Sequence, residues 1–322
     1  MLQPFKTFVV LIISTLLFNT LNAQKNFVYE YTVAKDGSGD FKFIQDAINA
    51  CRVYPLKPIT IKIKNGVYVE KIEIPATNTD IILLGQNVDS TIISFSDYSG
   101  RGHHTTFTSF TAKIGGDRFR AENITFANTA GRVGQAVALH VEANKAVFKN
   151  CKFLGNQDTI FGGTEESNQY FENCMIEGTT DFIFGPSTMV FNNCTIRSKS
   201  NSYITAASTA KDKAFGLVFL NCKLVADSGV SKVLLGRPWR SYAKTAFINC
   251  DFGNHIAPIG WNNWGNMENE TTTTYVEYNN TGNSANTAQR AKWAKQLTDK
   301  EAKAYTLENI FKTGKDQIVW YK

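Results

Sequence analysis

The strongest constraint on the fold is a short element, Phe-x-Asn-Cys-x-apolar, that recurs along the chain. It occurs at Phe148–Phe153 (FKNCKF), Phe171–Ile176 (FENCMI), Phe191–Ile196 (FNNCTI), Phe219–Leu224 (FLNCKL) and Phe247–Phe252 (FINCDF). A cysteine-free version, FRAENITF (Phe119–Phe126), places Asn123 27 residues before Asn150. The period lies in the range of stacked solenoid coils. Coils of a solenoid share one continuous core and cannot fold alone, so the repeats argue for one domain. Asparagine tolerates the left-handed conformation of a corner, and stacked amides satisfy one another. Each repeat asparagine is therefore expected at a corner, in a ladder with its neighbours. Many short β runs with almost no helix between them predict an all-β parallel β-helix. A β-sandwich would favour hairpins and would have no stacked Asn-Cys column.

The cysteines agree with this. Five of the six (Cys151, Cys174, Cys194, Cys222 and Cys250) share one repeat position, and a free cysteine in an interior column behaves as a small buried hydrophobe. They lack the paired spacing of a zinc site. The first 23 residues differ from the rest: Lys6, an apolar run from Phe8 to Phe18, and a polar stretch ending in Ala23. An apolar core so much shorter than the ~20 residues of a membrane span reads as a signal peptide over residues 1–23, leaving an exported domain over 24–322. Formal charge is +6, or +5 once Lys6 is removed with the leader. A mild positive excess suits a polyanionic partner. No arginine-rich or aromatic-basic run points to nucleic acid.

Tyr29–Ala34, Ile59–Ile63, Tyr68–Ile74 and Ile81–Leu84 read as the first strands. Phe41, Ile44, Ala47, Ile48 and Cys51 recur at helical spacing, with Asp40 placed to cap. Such a helix covers the open end of a solenoid core. The pattern changes near Gly253, and Thr298 with Glu301 forms a capping box for a helix in a tail packed along the outside.

Two aspartates stand out against the repeat. Asp158 lies eight residues after Asn150, and Asp181 eight residues after Asn173. If each repeat is one coil, the two carboxylates stack on neighbouring rungs, ~4.8 Å apart in backbone spacing. Like charges that close are costly. Strict alternation puts Asp158 and Asp181 on one face with Ile160 and Ile183, and Phe161 and Phe184 on the other. With the aromatics assigned to the core, the acids point outward. The same alternation sends Gln157 opposite to Asp158. Arg237 precedes Pro238, where the backbone must be irregular, and its guanidinium is expected to leave the coil and pair with one carboxylate, lowering that pKa while the other rises. Two acids with separated pKa values are what a nucleophile and a proton donor require.

Five segments in order, GVYVE (66–70), GQAVAL (134–139), GNQDT (155–159), DFIFG (181–185) and LGRPW (235–239), resemble the signature segments of pectin methylesterases. The resemblance spans roughly Val33 to Trp293. It implies a right-handed parallel β-helix enzyme that removes methyl esters from homogalacturonan and acts as a monomer with no cofactor or metal. It further implies Asp181 as nucleophile, Asp158 as general acid and base, Gln135 and Gln157 as oxyanion donors, and Arg237 as the group that orients Asp181. Trp239 is the first candidate to stack on sugar rings, with Trp264 and Trp261 behind it. Phe161 stands where many members carry tyrosine and is expected to alter a subsite contact. GNSA (282–285) replaces a Gly-Pro-Gly turn common in the tail. Unlike many plant members, the chain is expected to lack an inhibitory pro-region. A glycosidase on the same fold would have no use for the glutamines, a lyase would need a calcium-binding acid cluster, and a binder would not need the Asp-Asp-Arg set.

Overall fold

A computed structural model describes residues 27–312 and 319–322. The leader assigned to residues 1–23 lies outside them. The chain winds into three parallel sheets of 11, eight and seven strands, in which each strand pairs with its counterparts one coil before and one coil after. The repeat explains this arrangement. Its phenylalanine is the next-to-last residue of a strand of the first sheet, its asparagine turns the corner, its cysteine points inward, and its last apolar residue lies on a strand of the second sheet.

All seven corner asparagines, Asn123, Asn150, Asn173, Asn193, Asn221, Asn249 and Asn279, have φ between 48° and 57°. The expected amide ladder is mostly absent. Among the described residues, one bond joins neighbouring corners, from Asn279 Nδ2 to Asn249 Oδ1 at 2.9 Å. Most of the corner amides face solvent, where water satisfies them and removes the need for a ladder.

Inside the corner two columns run along the axis. Phe148, Phe171, Phe191, Phe219 and Phe247 stack ring on ring with centroids 4.4–4.8 Å apart. That spacing is the rung height itself, ~4.8 Å. Beside them the five repeat cysteines are free and buried. Each thiol donates to a main-chain carbonyl of the preceding rung, as Cys174 does to Phe148 O and Cys222 to Phe191 O. With the aliphatic side chains of the other two sheets, these columns make one continuous core.

The N-terminal end is closed by a helix over Ile44–Ala50 that buries Ile44, Ala47 and Ile48. Asp40 does not cap it: its carboxylate accepts from the main-chain N–H of Thr32 instead. The orphan donors at the helix start, Ile44 N–H and Gln45 N–H, bond Glu70, brought from a later turn of the solenoid. The stretch expected as one strand, Tyr68–Ile74, splits into Gly66–Val69 on the second sheet and Ile72–Ile74 on the third. The coil continues past Gly253, since Thr274–Tyr278 adds a rung to the first sheet. The tail then packs outside that sheet through Ile310 and Tyr321, with the Thr298 capping box at the start of Asp299–Ala302. No helix among the described residues is long and apolar enough to cross a membrane.

Candidate active site

The third sheet carries the polar residues picked out in the sequence. Its strands Leu139–Val141, Ile160–Gly162, Ile183–Gly185 and Tyr203–Ala207 are consecutive rungs. Gln135 and Gln157 form a parallel bridge just before the first two strands. Asp158 and Asp181 each stand two residues before a strand, and Ile160 pairs with Ile183, so the two acids are in register.

Strict alternation fails here, for a backbone reason. Asp158 and Asp181 have φ of 67° and 49°, the left-handed region that aspartate tolerates better than most residues. A left-handed residue resets which way the next side chains face. Gln157 and Asp158 consequently both line one cleft, which removes the conflict that alternation created. It also reverses the expected faces of the aromatics. Ile160 and Ile183 belong to the core, whereas Phe161 and Phe184 pack outside it with Phe110, Val137 and Ala206, against Trp239.

The cleft has a volume of about 340 Å³ and brings together Gln135, Gln157, Asp158, Asp181, Arg237, Trp239 and Trp264. Phe161 is not in its lining. It is 6% exposed and supports the wall from behind, stacked on Phe184 at 4.7 Å and tilted against Phe107 at 5.0 Å. Trp261, only 2% exposed, is a core residue that donates from its indole to Glu277.

Arg237 leaves the end of Leu234–Gly236 and holds Asp181 with two bonds, Nε to Oδ1 at 3.1 Å and Nη2 to Oδ2 at 2.7 Å. Its guanidinium packs against two rings, 4.0 Å from the centroid of Tyr203 and 3.8 Å from that of Trp264. A planar cation held against two aromatic rings and forked onto a carboxylate has little freedom left. Among the described residues the Asp158 carboxylate has no hydrogen-bond partner, although Asp158 is only 7% exposed.

The electrostatics follow from burial first. Desolvation raises Asp158 from its ordinary 3.8 to about 8, the charge of Asp181 acts in the same direction, and Arg237 opposes both. Asp181 is raised as well, again by burial, against the hydrogen bonds and charge of Arg237. Arg237 does lower the paired Asp181, as expected from the sequence, but desolvation outweighs that lowering and leaves the net direction upward. The separation between the two acids survives in another form: one carboxyl is paired with a cation and the other is left to hold a proton.

Further lining and supporting residues escape the sequence reading. Thr106 and Phe107, from a short 3-10 turn, form one wall of the cleft. Phe107 is 44% exposed, and an aromatic in the polar loop SGRGHHTTFTSF is the signal that could have found it. Tyr203 lies under Arg237 because it is in register with Asp181 one rung further on, but it stands ten residues after Asn193, so the count of eight that finds the aspartates lands on Asn201 instead.

Comparison with known proteins bears on this geometry. The Pectinesterase family model matches residues 30–314. A Brassica napus protein described as a probable pectinesterase/pectinesterase inhibitor is 39% identical over 247 residues, covering 72% of this chain and 42% of its own length. The chain spans about half or less of the length of the curated plant relatives it matches. Among solved structures, pectin methylesterase from carrot is 35% identical with a TM-score of 0.83, covering 87% of this chain and 92% of that one. A pectin methylesterase in complex with a hexasaccharide is 29% identical with a TM-score of 0.76, covering 91% of this chain and 100% of that one.

Proposed function

The chain belongs to the pectinesterase family, and on that premise we propose that it hydrolyses the methyl esters of homogalacturonan, releasing methanol and leaving a carboxylate on the polymer. The observation that carries the reading is the asymmetry of the acid pair: Asp181 forked by Arg237, Asp158 unpaired and raised to about 8. Asp181 attacks the ester carbonyl carbon with one carboxylate oxygen, and the carbonyl electrons move onto the oxygen. Gln135 and Gln157 face the same cleft and donate to that oxyanion, a contribution of about 3–4 kcal/mol per donor in comparable sites. When the intermediate collapses, the bond to the methoxy oxygen breaks, and Asp158 supplies the proton that makes it methanol. The product on the protein is an acid anhydride with Asp181. Asp158, now ionised, takes a proton from water as that water attacks the galacturonyl carbonyl, and Asp181 leaves as carboxylate. A carboxyl raised to about 8 is protonated at neutral pH, as the first step demands.

Arg237 positions Asp181 and also weakens its basicity towards protons while leaving an oxygen lone pair available. Trp239 and Trp264 flank the reacting groups and offer faces for pyranose rings. Phe161 acts on the substrate only through Phe184 and Phe107. Export, expected from residues 1–23, would place the enzyme with its polymeric substrate and belongs to the same proposal.

The test is methanol release from methylated pectin, with viscosity followed in parallel. Methanol without a fall in viscosity supports the esterase, whereas chain cleavage or an unsaturated product sinks it. The rate of acyl-enzyme formation should fall as pH rises through about 8, where Asp158 loses its proton. A rate still rising above pH 9 would remove Asp158 from the acid role.

A further inference from the structure

Three consecutive rungs supply Gln135, Gln157 with Asp158, and Asp181, and a solenoid has no covalent link between rungs at the cleft. We propose that Lys199 is a positioning residue that stitches those rungs together on the side where their turns enter the cleft. This rests on the esterase reading above for its catalytic consequence, though not for its geometry.

Lys199 follows the strand Thr195–Ser198, and its main-chain N–H donates to Gly178 O on the rung before. Its side chain reaches past that rung to the next, where Nζ donates to Gly155 O at 2.9 Å. Gly155 opens the turn GNQDT that carries Gln157 and Asp158. On the way, Nζ pairs with Glu177 Oε1 at 3.1 Å, on the strand Met175–Gly178 that leads to Asp181. The main-chain carbonyl of Lys199 then accepts from Arg132 Nη2 at 2.9 Å. Arg132 stands in the exposed loop three residues before Gln135. One residue thereby touches the segments leading to both glutamines and both aspartates, and none of its own atoms lines the cleft.

The chemistry of the contacts fits a tether rather than an electrostatic effector. Two of the four bonds use main-chain atoms of Lys199, and its ammonium charge is met by Glu177. Burial, Asp181 and Arg237 are the causes that set Asp158, with Lys199 not among them. Displacement of a reacting group by about 1 Å costs up to about a hundredfold in rate, so a bond that fixes the start of the GNQDT turn bears on turnover without touching substrate.

The test is Lys199→Met, compared with Lys199→Arg and with Arg197→Met as control. Arg197 also pairs with Glu177, and with Asp227, but makes no bond to the GNQDT turn. Lys199→Met should lower kcat about tenfold with KM within about twofold and an unchanged pH profile, and should speed amide exchange at 155–158 about tenfold. Lys199→Arg should restore most of kcat, and Arg197→Met should leave kcat and exchange near wild type. Unchanged kcat or unchanged exchange in Lys199→Met overturns the inference, as does an equal loss in Arg197→Met. If Lys199→Met does not fold, Arg132→Gln decides the matter: faster exchange at 130–136 with reduced kcat supports the stitch, and wild-type values overturn it. A wild-type protein that releases no methanol would sink the esterase reading and leave the stitch to amide exchange alone. An active wild type whose Lys199→Met variant turns over normally would sink the stitch alone.

Discussion

The corner between the first two sheets and the leading edge of the third are built on the same rung height and do opposite things with it. At the corner, identical residues stack: phenylalanine on phenylalanine at 4.4–4.8 Å, with cysteine beside cysteine. At the cleft, the residues in register are two buried acids, which repel. The first arrangement lowers free energy at each rung added, and the second raises it. The comparison teaches that the regular wall supplies the rigidity that holds an unfavourable constellation in place, and that the cleft spends part of it.

The comparison breaks most visibly at Asp181. Asp181→Ala should lower kcat by about 10⁴-fold or more, as loss of a nucleophile does in other hydrolases, while pectin oligosaccharide binding persists. Near-normal turnover would take Asp181 out of the nucleophile role. On the opposite wall, Phe191→Ala removes a fully buried ring from the middle of the stack. A loss of about 3–5 kcal/mol in chemical denaturation is expected, with kcat of the protein that remains folded unchanged. If kcat fell in proportion, the two walls would not be separable.

Asp158→Asn sharpens the contrast because activity and stability should move apart. Its folded-state carboxyl sits at about 8 against an ordinary 3.8. A group raised in this way contributes its stability in full below pH ~4 and loses it as pH climbs through about 8. The asparagine variant escapes that loss. It should be inactive, yet more stable than wild type by an amount on the order of a few kcal/mol at pH 8, and the advantage should vanish near pH 4. Thermal unfolding at the two pH values checks this, and an equal shift at both would mean that burial of the charge is not the cause. The smallest effect is expected at a corner. Asn173→Ala puts an ordinary residue at φ 54° and should cost about 1 kcal/mol, whereas Asn173→Gly should cost less. Equal costs would show that the side-chain amide matters more than the backbone.

The regular wall was the more legible of the two in the sequence. Its residues repeat because they touch their own copies, so period and inward column could be read by counting. Counting also brought Asp158 and Asp181 into register. What failed at the cleft was the step from register to direction. Alternation presumes extended backbone, and the left-handed φ at both aspartates reverses it, turning Phe161 and Phe184 outward and Gln157 inward to the cleft. Glu70 in place of Asp40 at the helix start, and Tyr203 under Arg237, were hidden for a different reason. Both act across coils, where sequence distance says little about contact.

The left-handed corners have a genetic consequence. Seven of them hold asparagine and two hold Asp158 and Asp181, with φ of 48–57° in the former and 67° and 49° in the latter. Exchange between Asp and Asn at such a corner needs a single base change and leaves the backbone undisturbed. On the proposed mechanism, a gene for this fold therefore lies one mutation from a protein that keeps its groove and its aromatic walls but no longer turns over, so loss of activity in a duplicated copy need not mean loss of the fold.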